Sequence, residues 1–358
     1  MEKENCIGVM SGSSLDGLDI ASVELSSKKR NKWSFRLLES KKIPFPQQIH
    51  RMLLNPGTLS SEDLAHLDRE FGRFIGSSVR DHFTLEGSAA PTLIASHGHT
   101  LLHRPKRALT FQIGHGGTIA AKTGIPVVSD LRTMDVEYGG QGAPLAAIGD
   151  RLLFGDHDQC LNLGGFANLS YETKGEHKAF DICPVNTALN RVSRELGEAF
   201  DKNGQMAREG QLDQDMLSAL EGLPFYRSGN YRSLGSEWLQ EHFIPLIDQR
   251  LPEKDRLRTL LEHMAMRIGE KLKNTPGQET LVTGGGAYNW FLLERIQVHA
   301  PEQKLILPQD AIIEFKEAVI FALLGLLRWK SMPNSLSGAT GADREVINGA
   351  VHLPTPSP

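Results

Sequence analysis

Apolar residues run without interruption from Cys6 to Met10, stop at a turn rich in Gly and Ser between Gly12 and Gly17, and resume as Leu18-Asp19-Ile20-Ala21-Ser22-Val23-Glu24-Leu25 in partial alternation with polar ones. A short apolar run reads as a buried strand and an alternating one as a half-buried strand, so the chain opens strand, turn, strand. Trp33–Ile43 supplies a third strand. From Ser60 to Phe83 the spacing changes to three and four: Leu64, Leu67, Phe71, Phe74, Ile75 and Val79 share a face, with Ser60 as N-cap and Asp63 as its capping-box partner. Two short strands, Pro91–Ser96 and Gly124–Asp130, end in polar clusters, His97-Gly98-His99 and Asp130-Leu131-Arg132. Open parallel α/β sheets bind ligands at such strand ends. The segment Gly139-Gly140-Gln141-Gly142-Ala143-Pro144 then reads as a flexible hinge or clamp.

The second half begins the pattern again. Gln159–Leu163 leads into Gly164-Gly165-Phe166-Ala167-Asn168 and a further strand, Leu169–Glu172, about 150 residues after the first such unit, which predicts a duplicated architecture. Phe180-Asp181-Ile182-Cys183 ends a strand and Pro184 stands near the start of a helix; further helices are predicted near 213–222, 236–250 and 253–273. Glu279–Val282 runs into Thr283-Gly284-Gly285-Gly286-Ala287-Tyr288-Asn289, which opens a helix, and Lys304–Leu307 and Ile313–Trp329 give the last strand and an apolar helix.

A length of 358 residues suits about two domains. Lys plus Arg is 39 against 43 for Asp plus Glu, a net charge of -4, which excludes general attraction to nucleic acid or an anionic membrane and requires a local basic site for any anionic substrate. The charged N-terminus and the brevity of the apolar run behind it suit neither a secretion signal nor a membrane span, so a cytoplasmic protein is expected. Cys6, Cys160 and Cys183 are far apart and read as small buried hydrophobes, not as a disulfide or zinc framework.

In the first turn, Gly12 and Gly17 allow backbone N–H groups to face an anion, Ser13 and Ser14 add hydroxyl donors, and Asp16 supplies a carboxylate suited to Mg²⁺; an ordinary hairpin turn is the alternative. Three glycine turns, at 12–17, 164–165 and 284–286, each follow an apolar strand, and together they would surround a nucleotide, two at the phosphates and one at the nucleoside. The third also invites a dinucleotide reading, but it lacks the Gly-x-Gly-x-x-Gly spacing. Asp181 is placed at a strand end to take a proton from a hydroxyl or a water, or else to cap the helix that follows. His97, His99 and His103 could form a metal cluster, pocket donors or plain loop residues. Asp130 and Arg132 suit an anionic group or a surface ion pair, and Glu317 suits the dipole at a helix start.

The chain resembles the anhydro-N-acetylmuramic acid kinases. The resemblance rests on Gly8–Asp19, Ser96-His97-Gly98-His99-Thr100, Phe111–Gly114, Val127–Arg132, Gly139–Leu145, Asn162–Asn168, Gly284–Asn289 and Thr340-Gly341-Ala342, in order and spacing over nearly the whole chain. It implies an α/β fold of the sugar kinase, Hsp70 and actin superfamily: two duplicated ribonuclease-H-like domains with ATP in the cleft between them. The expected domains are 1–132, with the tail 346–358 attached, and 133–345 carrying a helical insertion. It implies an enzyme that opens the 1,6-anhydro ring of a cell-wall amino sugar with water while phosphorylating its 6-oxygen from ATP and Mg²⁺. By position, Gly12, Ser13, Ser14, Leu15, Asp16, Gly17, Leu18 and Asp19 would bind phosphate, with Asp16 toward Mg²⁺. Asn162, Gly164, Gly165 and Asn168 would form the second phosphate loop, and Gly284, Gly285 and Gly286 the adenosine loop. Asp181 would be the general base and Glu317 a second acid near it, while His97, Thr100, Asp130, Arg132 and Asn186 would hold the sugar. The implied partner is that small anhydro-amino-sugar, with no nucleic acid or membrane; a homodimer is left open. The remaining readings are a kinase of another sugar without ring hydrolysis, and an ATP-gated binding protein of the same superfamily. The family pattern Asp-Thr-Gly-Pro-Gly-Asn is Asp181-Ile182-Cys183-Pro184-Val185-Asn186 here, and Gly-Gln-Thr is Gly98-His99-Thr100. The loss of two glycines around Asp181 bears on how closely a substrate approaches.

Overall fold

A computed structural model of the chain describes residues 3–12, 15, 17–29, 32–54, 56–87, 90–227 and 234–355. The chain divides into two compact units, Met1–Gly155 with Phe315–Pro358, and Asp156–Glu314.

In the first unit β1 (Lys3–Ser11), β2 (Leu18–Lys29) and β3 (Lys32–Ile43) form an antiparallel meander, and β4 (Leu93–Ser96) and β7 (Val127–Ser129) extend it in parallel from β1. The C-terminal β13 (Ala350–His352) closes that edge, giving the order β13-β7-β4-β1-β2-β3. A hairpin that the sequence pattern did not disclose, β5 (His99–Arg104) with β6 (Leu109–Ile113), stands apart as its own small sheet. Ser60 caps the Ser61–His82 helix and the capping box with Asp63 is complete, as the sequence predicts. Leu67, Phe71, Ile75 and Val79 on its inner face are fully buried, each stabilising the unit by roughly 1.5–3 kcal/mol.

The second unit repeats the arrangement. β8 (Gln159–Leu163), β9 (Phe166–Thr173) and β10 (Glu176–Pro184) form the meander, and β11 (Glu279–Thr283) and β12 (Lys304–Ile306) run parallel to β8, in the order β10-β9-β8-β11-β12. Meander plus two parallel strands, met twice, is the duplicated ribonuclease-H-like architecture. The core of this unit is built around the Glu253–Asn274 helix, whose Leu257, Leu260, Leu261, Met264 and Ile268 are buried.

The units differ in extent from the expected domains 1–132 and 133–345. The first holds on to the Ala146–Leu153 helix because Phe154 beyond it packs edge-on against Phe35 of β3 and Asp150 pairs with Lys316 at 2.7 Å. It reclaims most of the Asp310–Trp329 helix because Gly8 in β1 leaves room for the backbone of Ala318, which any Cβ there would overlap. The helix expected over 236–250 is broken: after Ser236–Trp238 and a wide turn over Leu239–Phe243, Pro245 confines the chain to one tight turn, Ile244–Leu246. Among the described residues no helix is long and apolar enough to cross a membrane.

Candidate active site

Register places the second unit's polar residues in one row. Asp181 on β10 stands opposite Asn168 on β9, Asn168 opposite Asn162 on β8, and Asn162 beside Thr283 on β11. Their neighbours Leu161, Leu163, Ala167, Leu169, Phe180 and Ile182 are all in the apolar core. Because side chains alternate across a strand, the row lies on the opposite face from that core.

The second and third glycine turns meet at the end of this row. Gly284 has φ +81°, and a Cβ there would overlap the Asn162 carboxamide and the Leu163 carbonyl carbon. Only glycine fits such a position. Asn186 bridges the turns: its amide donates to the Leu163 carbonyl at 3.1 Å and lies next to Gly285. The Gly165 carbonyl accepts from the N–H of Val185 at 2.8 Å and of Thr187 at 3.3 Å, and the Gly164 carbonyl from Asn186 at 3.3 Å. The carbonyls of this turn are therefore occupied by the start of the Asn186–Glu195 helix. Among the described residues nothing accepts from the N–H groups of Gly164 and Gly165, which is the polarity an anion cradle needs.

Asp181 does not cap the following helix, whose N-cap is Val185 with no side-chain bond. Its Oδ2 accepts from the Leu234 backbone N–H at 2.7 Å, and burial pushes its pKa up to about 6 against that hydrogen bond. The departures from the family pattern do not crowd it. A β-bulge between Asp181 and Cys183 resets the alternation, and Ile182, Cys183 and Val185 are all buried in the core. The side chains standing where glycines are usual point away from the Asp181 face.

In the first unit the turn after β1 is only partly described: Ser13, Ser14 and Asp16 lie outside the described residues. Leu15 has φ +58°, and a Cβ at Gly17, φ +153°, would overlap the Ile43 carbonyl. Two members of the expected phosphate loop serve the sheet: Leu18 is wholly buried, and Asp19 pairs with Lys42 of β3 at 3.5 Å.

The three histidines do not converge. His97 accepts from the Arg132 guanidinium, Nε to Nε2 at 2.9 Å; His99 bonds the Ser11 hydroxyl at 2.9 Å; His103 bonds Thr110 at 3.0 Å. Burial drives His97 well below its ordinary pKa and His99 down to about 4, so both rings are neutral. Among the described residues no group of three His, Cys, Asp or Glu is placed to hold a metal. Arg132, half-buried and brought down to about 10 by the protein packed around its guanidinium, also donates to the Gly142 carbonyl. It forms no pair with Asp130, which instead accepts from the Thr133 hydroxyl at 2.6 Å at an exposed strand end with φ +53°. Thr100 is half-buried on β5. His97 and Asp130 line a pocket of about 290 Å³ together with Ser96, Gln112 and His352.

The glycine-rich segment expected as a hinge is held fast by a residue the sequence reading passed over. Asp135 is wholly buried; its carboxylate accepts from the Gly142 N–H and the Thr340 hydroxyl, each at 2.8 Å, and its carbonyl from Gly140. The available signal was an acid flanked by Met134 and Val136 just ahead of a glycine run. Thr340 belongs to the Thr340-Gly341-Ala342 motif, which thereby gains a structural purpose. Glu317 is not at a helix start, since the helix begins at Asp310. It is exposed, yet the protein packed around its carboxyl raises its pKa against the pull of Lys316 and Arg132.

Duplicated α/β units with paired glycine turns beside a half-buried carboxylate are an arrangement that can serve phosphoryl transfer. Residues 4–354 match the family described as anhydro-N-acetylmuramic acid kinase. A relative of that name from Saccharophagus degradans is 34% identical over 97% of this chain and 98% of its own, and one from Crocosphaera subtropica is 33% identical over 98% and 99%. The chain belongs to the anhydro-N-acetylmuramic acid kinase family. A glucokinase of the ROK family from Streptomyces griseus, solved with glucose and AMPPNP, superposes with a TM-score of 0.42 at 13% identity, over 90% of this chain and 100% of that one.

Proposed function

We propose that this protein uses ATP to phosphorylate the 6-oxygen of 1,6-anhydro-N-acetylmuramic acid while water opens the anhydro ring, giving N-acetylmuramate 6-phosphate in cytoplasmic recycling of cell-wall sugar. The observation that carries the chemistry is the row Asp181–Asn168–Asn162 ending at the two glycine turns, with the carboxylate raised to about 6. Such a group is ionised at neutral pH yet basic enough to take a proton from water.

Asp181 removes a proton from a water that attacks the anomeric carbon. The bond from that carbon to the 6-oxygen breaks, the freed 6-oxygen attacks the γ-phosphorus of ATP, and the bridging oxygen leaves with ADP. The N–H groups of Gly164 and Gly165 face the phosphates, and Gly284–Gly286 the nucleoside. Transfer of this kind relies on positioning and charge stabilisation more than on covalent participation by the protein. Arg132, fixed by His97 and Gly142, binds the sugar's polar substituents with Thr100, Asp130 and Asn186, and Glu317 is the second acid. Asp16, proposed to face Mg²⁺, lies outside the described residues, and Mg²⁺ belongs here as the ion that accompanies ATP.

The test is ADP release with a panel of sugars, followed by the mass of the product. A gain of phosphate plus water supports the proposal. Phosphate alone would make the protein a simple sugar kinase, and no gain with any sugar would favour a binding protein.

A further inference from the structure

The pocket of about 290 Å³ in the first unit lies at the ends of β4 and β7 and at the N-terminus of the Gly116–Thr123 helix. Strand ends of this kind are where open α/β sheets take ligands. Ser96, in the pocket lining, closes β4 with its side chain wholly buried, yet among the described residues its hydroxyl has no hydrogen-bond partner. A buried hydroxyl is costly to leave unpaired, so a polar group entering the pocket meets a partner already in place.

The helix start adds donors to the same pocket. His115 caps the helix: its Nδ1 accepts from the Thr118 N–H at 3.1 Å, which leaves the ring proton on Nε2. Among the described residues nothing accepts from the N–H groups of Gly116 and Gly117, the first two of the helix. Gly116 is glycine for a steric reason: a Cβ there would stand 2.4 Å from Cδ2 of His352 and 2.5 Å from the Ser129 hydroxyl. Its bare backbone lets the C-terminal strand β13 seat His352 on the helix start, where Nε2 pairs with Ser129 at 2.9 Å. Nδ1 lies beside Gly117 and has no partner among the described residues. Burial holds this ring below its ordinary pKa against the pull of Asp130, so it is neutral, and with Ser129 donating to Nε2 its proton is on Nδ1.

The acids in the lining are turned to protein donors. Asp68 accepts from the Gly114 N–H at 2.7 Å and Asp130 from the Thr133 hydroxyl at 2.6 Å. His97 is also occupied, since Nδ1 donates to the Gly98 carbonyl at 2.9 Å and Nε2 accepts from Arg132. What remains for a ligand is a set of donors: the Ser96 hydroxyl, His115 Nε2–H, His352 Nδ1–H and two backbone N–H groups at the positive end of a helix. Such a set matches a carboxylate.

We infer that Ser96, His115 and His352 bind the carboxylate of the sugar's lactyl side chain, so that the C-terminal strand sets selectivity for the muramic acid over the amino sugar that lacks the lactyl group. The identity of the sugar rests on the proposed function; the pocket's preference for a carboxylate does not.

The experiment measures kcat/KM for 1,6-anhydro-N-acetylmuramic acid and for 1,6-anhydro-N-acetylglucosamine, which lacks the lactyl group, in the full chain carrying Ser96→Ala or His352→Phe. Each change is expected to lower the value for the acid about tenfold more than the value for the lactyl-free sugar. Ser96→Ala should fold and melt no lower than wild type, because the hydroxyl it removes bonds nothing among the described residues. An unchanged kcat/KM for the acid in Ser96→Ala, or an equal loss with both sugars, overturns the inference. Should wild type turn over neither sugar, the proposed function falls, and the pocket is tested by imidazole ¹⁵N NMR with D-lactate, the side chain alone. Shifts of the His115 and His352 resonances that are lost in Ser96→Ala would uphold the pocket; unmoved resonances in wild type would overturn it.

Discussion

Asp181 and Asn168 face each other directly across β10 and β9, and it is this pairing that ties a proton acceptor to the loop proposed for phosphate. The strands hold the pair by main-chain bonds, so its geometry does not depend on a mobile side chain. A carboxylate in that position is half-buried, which raises its pKa, and is held by one backbone donor.

Replacement of Asp181 by Asn preserves shape and removes proton acceptance. We expect turnover to fall by about 10²–10⁴-fold with the Kd for ATP within about twofold of wild type. Measured kcat together with nucleotide titration checks both halves.

The pH dependence has a definite sign. Burial raises the folded Asp181 pKa to about 6, above an unfolded value near 4, so the folded state holds the proton more tightly. Asp181 therefore weighs against folding increasingly as pH rises from about 4 to 6, by up to about 3 kcal/mol at neutrality. Asp181→Asn should melt higher than wild type at pH 7 and at the same temperature below about pH 4. Turnover of wild type should decline on the acid side below about pH 6, as the base becomes protonated.

Gly284 and Gly175 both have φ near +80°, but a Cβ collides with Asn162 and Leu163 at the first and meets open space at the second. Gly284→Ala should cost about 1–3 kcal/mol in stability and raise the KM for ATP, whereas Gly175→Ala should cost less and leave that KM unchanged. Equal effects on ATP would remove Gly284 from the nucleotide site.

Arg132→Lys keeps the charge and loses the fork that reaches both His97 and the Gly142 carbonyl. The KM for the sugar should rise roughly ten- to a hundredfold while the KM for ATP stays put. A rise confined to ATP would contradict its assignment to the sugar.

Much of this was legible in the sequence, for identifiable reasons. The capping box at Ser60 and the period of the Ser61–His82 helix are local signals and carried over directly. The duplication was visible because each half opens with strand, glycine turn and strand. What escaped depends on distant partners. The β5–β6 hairpin is pinned by His99 reaching back to Ser11, and the unit boundary by Gly8 admitting the backbone of Ala318. The apparent hinge at 139–144 is fixed by Asp135 and Thr340, far apart in sequence. Composition of a loop predicts freedom; only tertiary bonds decide it. The row through Asp181, likewise, needed the register of three strands, which no single stretch reveals.

Turnover in ¹⁸O-labelled water, with prompt quenching and mass analysis of the sugar phosphate, bears on the ring-opening chemistry most directly. Water attack at the anomeric carbon predicts one heavy oxygen on that carbon and none in the phosphoryl group or its bridge to the 6-carbon. An unlabelled sugar phosphate, or label in the phosphoryl group, would contradict it.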